Sequence, residues 1–126
     1  MLKELMNVIA FSTILSNAID SDLSSEFIVN YIDNTTPDIY NDYIKGKKLG
    51  VLIYPDCLMY VYCSVEMLKT YYNSNVLDKN FLIFALNKQL KEITKIIRQI
   101  YYTKDKKSQI ILLKEIKKIW TGEKAI

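Results

Sequence analysis

The sequence predicts a mainly α-helical protein, a compact bundle of five to six helices ending in an antiparallel αα-hairpin. Three observations carry this expectation. Apolar residues Ile83, Leu86, Leu90, Ile93, Ile97 and Ile100 recur at the three-and-four spacing of one helix face. Three Gly and two Pro leave little material for the tight turns of a many-stranded sheet. Small polar clusters at Asn34-Thr35-Thr36, Asn73-Ser74-Asn75 and Thr103–Lys106 separate the periodic segments, as helix breaks do. With 126 residues, half of them hydrophobic and a quarter charged, residues 1–126 form one domain with a real core.

Taken in order, Leu2 to about Asn17 reads as a first helix, apolar on most sides, through Leu5, Val8, Ile9, Phe11 and Leu15. Asp20, Ser21 and Asp22 offer caps for a second, from Leu23 to about Asp33. Asn34 to Thr36 ends it. Thr36 then caps a short third helix with Pro37 at its first position, and Lys45-Gly46 marks its stop. Residues 49–63 read two ways. Either a buried helix starts at Pro55 and runs to about Tyr72, or a small β-hairpin folds around Pro55-Asp56, giving an α+β protein. The β-branched and aromatic residues there suit strands. The helical step through Met67, Leu68 and Tyr71 and the poor turn chemistry of Pro-Asp favour the helix. The longest helix spans Asp78 to about Tyr102, capped by Asp78 or Asn80. Its first turns, Phe81 to Leu86, are apolar all round and are expected to be wrapped by neighbours. A last helix runs from about Lys107 to Trp120, with Ile110, Leu112, Leu113, Ile116, Ile119 and Trp120 facing inward and Gly122 ending it. The four-residue link before it predicts the antiparallel pairing.

Much chemistry is missing from the chain. It has no His, so the usual general base and metal ligand near neutral pH are absent and Ser-His-Asp or Cys-His machinery is excluded. The scattered Gly form no phosphate loop. Asp20, Asp22 and Ser24 open like a calcium loop, but Ser25 stands where the turning Gly belongs and Tyr31 where the closing Glu belongs. No catalytic residue, cofactor or metal site is expected, and the protein reads as a non-enzyme. Cys57 and Cys63, six apart, are separated by about 9 Å on a helix or about 20 Å on a strand, beyond disulfide reach. Two free thiols fit a cytoplasmic protein. No run of apolar residues reaches membrane-spanning length. Lys3, Leu5 to Leu15 and Ser16-Asn17-Ala18 loosely imitate a signal peptide, which Glu4 and Asn7 interrupt. Sixteen Lys against one Arg, with abundant Ile, Asn and Tyr, reads as codon drift in an AT-rich genome of a phage, virus or low-GC bacterium.

Charge is distributed unevenly. Residues 20–44 hold six acids and no base; residues 1–87 carry net −4 and residues 88–126 net +7. Charge layout bears on partners rather than on fold. The acidic segment also carries Tyr, a composition suited to gripping a basic protein surface. The leading expectation is therefore an inhibitor or immunity protein that neutralises a basic partner, such as a nuclease toxin. Its surface would consist of Asp22, Glu26, Asp33, Asp38, Asp42, Tyr40 and Tyr43. A second expectation is non-specific nucleic-acid binding by the basic C-terminal hairpin through Lys88, Lys91, Lys95, Arg98, Lys114 and Lys118. One Arg leaves little capacity for bidentate base reading. A third is self-association, or a Bcl-2-like viral or phage interaction protein, through the first helix or residues 49–63. The first expectation requires acids and bases to occupy separate surfaces.

Overall fold

The computed structural model describes residues 2–50 and 53–122. Five helices account for nearly all of them: α1 (Leu2–Asp20), α2 (Ser25–Lys48), α3 (Tyr54–Tyr72), α4 (Lys79–Tyr102) and α5 (Lys106–Thr121). No strand occurs among the described residues. All five helices contribute to one hydrophobic cluster. At its centre, Leu90, Ile93, Ile97 and Ile100 of α4 are wholly buried. α4 touches α1, α3 and α5, while α2 lies against α3 and α1.

α2 departs most from expectation. Residues 34–36 do not break the chain; one 24-residue helix runs through Pro37. Pro37 has no N–H to give the Asp33 carbonyl, a defect worth about 3 kcal/mol in a helix interior. Burial offsets it: Ile28, Ile32, Thr36 and Ile39 form one unbroken core stripe across the proline. Ser24, rather than Asp20, Ser21 or Asp22, is the N-cap, its hydroxyl accepting from the Phe27 N–H at 3.2 Å. Asp22 instead takes a left-handed conformation, φ 56°, in the turn from α1. Gly46 is buried inside α2, and the helix runs on to Lys48; just past its C-cap Leu49, Gly50 adopts φ 72°.

α3 settles most of 49–63 as helix. Pro55 occupies the first turn, and Cys57, Leu58, Val61, Val65 and Leu68 face the core. The hairpin alternative is corrected over Tyr54–Cys63; Val51 and Leu52 lie outside the described residues. A three-to-four step brings the buried residues of Tyr54–Tyr72 onto one face, which a strand over the same residues would divide between two.

The C-terminal hairpin forms as expected. Asp105 caps α5 by accepting from the Lys107 and Ser108 N–H groups, and Gly122 closes it at φ 79°. The Gln109 side-chain amide bonds the Ile100 and Thr103 carbonyls at 3.3 and 2.7 Å, and Gln89 reaches the Ile119 carbonyl at 2.9 Å. Those contacts fix α5 antiparallel to α4. They also show why the first turns of α4 are wrapped on one side only, at Ile83 and Leu86. α5 ends beside Gln89, and α1 ends at Asp20 beside Asn87. The preceding turns therefore project beyond both, leaving Phe81 71% and Phe84 69% exposed. Asp78 precedes α4 without a side-chain capping bond. Ile110 is also turned outward rather than into the core.

Candidate functional site

One flank of α4 is solvent-facing along the whole helix. Phe81, Phe84, Lys88, Lys91, Lys95, Arg98 and Tyr102 alternate steps of three and four and are all exposed. At 100° per residue they share an arc of about 100°, and at 1.5 Å per residue they extend about 30 Å. The cations occupy the middle and the aromatic rings the ends. This flank faces α1: Asn87 and Thr94 meet α1, whereas Gln89 meets α5 on the other side.

Between α4 and α1 lies a groove of about 400 Å³. Its α1 wall is Ser12, Thr13, Ser16, Asn17 and Asp20, and its α4 wall is Lys91, Thr94, Lys95 and Arg98. Hydroxyls tie the floor together. Thr94 donates to Ser12 Oγ at 3.0 Å, and Ser12 donates onward to the Val8 carbonyl at 2.9 Å. Ser16, one turn along α1, is different. It is only 4% exposed, and its Oγ has no hydrogen-bond partner among the described residues. Buried hydroxyls are ordinarily bonded, and a helical serine usually returns its proton to the carbonyl four residues back. At the rim, Arg98 Nη2 donates to Thr13 Oγ1 at 3.3 Å. At the far end, Asp20 pairs with Lys91 and accepts from the Asn87 amide at 2.9 Å. The groove holds three cations against one carboxylate, net +2.

The structure brings together only part of the predicted basic set. Lys88, Lys91, Lys95 and Arg98 form the stripe. Lys114 and Lys118 do not join it: each stands two residues from buried Ile116, about 160° round α5. Lys118 faces Glu115 on its own helix at 3.8 Å.

The acidic set is divided. Because α2 is continuous, the phase between Asp33 and Asp38 is fixed at about 140°. Glu26, Asp33 and Tyr40, seven apart, share one flank, where Asp33 pairs with Lys69 of α3. Asp22 lies before that helix, in the turn. Asp38 and Asp42 occupy another flank, where they border a 210 Å³ cavity with Glu4 of α1. Partial burial raises the Asp42 carboxyl above its usual value, and the charges of Glu4 and Asp38 add to this. Glu4 lies 3.9 Å from Lys45. Tyr40 sits between Tyr43 and Tyr62, with ring centroids 6.3 and 5.5 Å away. Tyr43 is half-buried against the core, so it offers less surface than the sequence implied. Acids and bases thus interleave at Asp20–Lys91 and Asp33–Lys69, and the separate surfaces that the acidic docking reading requires are not formed at those points.

Cys57 is buried, and desolvation pushes its thiol up to about 12; Cys63, half-buried, is raised for the same reason. Among the described residues no group of three His, Cys, Asp or Glu side chains is placed to hold a metal ion. No described helix is long and apolar enough to cross a membrane. The lysine spacing was visible in the sequence. The hydroxyl wall was not, because Ser12 and Thr94 are 82 residues apart and only tertiary packing pairs them. The one signal was the group of small polar residues, Ser12, Thr13, Ser16 and Asn17, in the apolar middle of α1. No protein-family model, curated protein or solved structure matches this chain.

Proposed function

We propose that this protein is a non-catalytic binding protein that holds single-stranded nucleic acid by its backbone, without reading sequence, along the outer flank of α4. The observation carrying this reading is the unbroken exposed stripe from Phe81 to Tyr102, cationic in the middle and aromatic at both ends. Lysines spaced along a helix neutralise successive phosphates, and exposed rings offer faces on which unstacked bases lie. Duplex reading is disfavoured by the same residues. A recognition helix meets base edges with polar side chains near its N-terminus, where α4 carries Phe81 and Phe84. Fluorescence anisotropy with a labelled oligothymidine at low salt tests the reading. The wild-type chain binds, and Phe81→Ala with Phe84→Ala weakens binding by about 1–3 kcal/mol for each stacked base lost. Absence of wild-type binding at low salt refutes it.

A second reading keeps the acidic surface as a dock for a basic protein, in the manner of an inhibitor or immunity factor for a nuclease toxin. It is supported by the convergence of Glu4, Asp38 and Asp42 on one cavity. Replacing Asp38 and Asp42 by Lys then abolishes capture of a basic partner while the helical circular-dichroism spectrum is kept. Undiminished capture by that variant excludes this surface.

A further inference from the structure

The groove between α1 and α4 has the makings of an anion subsite within the longer stripe. We infer that it binds a phosphomonoester, with Ser16 donating its hydroxyl proton and Lys95 and Arg98 supplying the opposing charge. Two independent observations converge on this. The first is charge: Lys91, Lys95 and Arg98 exceed Asp20 by two. A phosphomonoester carries about −1.5 to −2 at neutral pH and matches that excess. A backbone diester carries about −1 and does not. The second is Ser16, buried, lining the groove and without a partner for its hydroxyl. Its hydroxyl proton has no acceptor among the described residues. A monoester oxygen satisfies it with a charge-assisted bond, stronger than one to a neutral acceptor. Arg98 already reaches across the groove to Thr13, so its guanidinium is held at the rim.

The same chemistry is presented by free phosphate and by a 5′-phosphorylated strand end, and the latter deepens the strand-binding reading above. Backbone amide shifts of the full chain, followed at constant ionic strength, test both sources. Inorganic phosphate is expected to produce saturable shifts confined to residues 12–17 and 91–98. Ser16→Ala weakens that binding by about tenfold, the loss of one hydrogen bond to a charged group. Lys95→Gln with Arg98→Gln weakens it by more than about tenfold. A 5′-phosphorylated oligothymidine binds about tenfold more tightly than its 5′-hydroxyl counterpart if the ligand is a strand end. Equal affinities for the two oligonucleotides, with phosphate still saturating the groove, support the subsite and assign it to free phosphate. Phosphate binding without any oligonucleotide binding supports the subsite and refutes the strand-binding reading alone. Unsaturable or scattered phosphate shifts, or equal affinity in Ser16→Ala, overturn the subsite.

Discussion

Ser12 and Ser16 lie one turn apart on the same face of α1, yet removing their hydroxyls is expected to move stability in opposite directions. Ser12 is wholly buried, accepts from Thr94 at 3.0 Å and donates to the Val8 carbonyl at 2.9 Å. Ser12→Ala removes about 1 kcal/mol of net hydrogen bonding. Ser16 has no partner among the described residues, so Ser16→Ala relieves a desolvation penalty of about 1–3 kcal/mol. Both substitutions share the modest gain in helix propensity of Ala over Ser, so it cancels between them. The two variants should therefore differ by at least about 2 kcal/mol, with Ser16→Ala the more stable. With a urea m-value of about 1–3 kcal/mol per molar, their midpoints separate by about 1 M. Urea unfolding followed by circular dichroism measures this in phosphate-free buffer. Coincident midpoints, or a lower midpoint for Ser16→Ala, would show that the Ser16 hydroxyl is satisfied in the folded chain, and the argument for a waiting donor fails.

Other consequences are equally direct. Pro37→Ala restores an N–H to the Asp33 carbonyl and should raise stability. The gain is up to about 3 kcal/mol, reduced by about 0.4–1 kcal/mol because the unfolded chain becomes less restricted; a lower thermal midpoint contradicts the helix-interior assignment. Asp42→Asn should stabilise the protein near neutral pH, since the Asp42 carboxyl is raised by burial first and by Glu4 and Asp38 second. A raised carboxyl penalises the folded state only while it is ionised, so the advantage of the Asn variant shrinks as pH falls through the folded value and vanishes below the ordinary 3.8. An advantage constant with pH, measured by thermal unfolding, rejects that cause. In native protein a thiol reagent at pH 8 should modify Cys63 ahead of Cys57, whose thiol is held at about 12 by burial, and reach Cys57 only on unfolding. Equal native rates contradict the core placement.

Much of this architecture is legible in the sequence because helices announce themselves by local period. α4, α5 and the hairpin between them follow from apolar spacing and from Gly122. Local punctuation misleads where burial overrides it. Thr36-Pro37 and Gly46 read as a start and a stop, yet the stripe of Ile28, Ile32, Thr36 and Ile39 keeps one helix running through the first and past the second. That single error propagates to the site. With α2 fused, the phase from Asp33 to Asp38 is locked, and a compositional run of acids becomes two flanks. The exposure of Phe81 and Phe84 was hidden for a related reason: it depends on where α1 and α5 end relative to α4, which no local pattern encodes. The lysine stripe was visible because it is itself a helical period, while its serine wall belongs to a distant helix.

The central claim is that the α4 flank, and not the basic hairpin as a whole, meets phosphate. The salt dependence of single-strand affinity tests it most directly. Lys88, Lys95 and Arg98 face solvent without a carboxylate partner among the described residues, while Lys91 is held by Asp20. Three neutralised phosphates give a slope of about −2 in log affinity against log salt. Replacing Lys88, Lys95 and Arg98 by Gln should bring that slope close to zero, and replacing Lys114 and Lys118 by Gln should leave it unchanged. A slope that survives the first set of substitutions and collapses with the second contradicts the account.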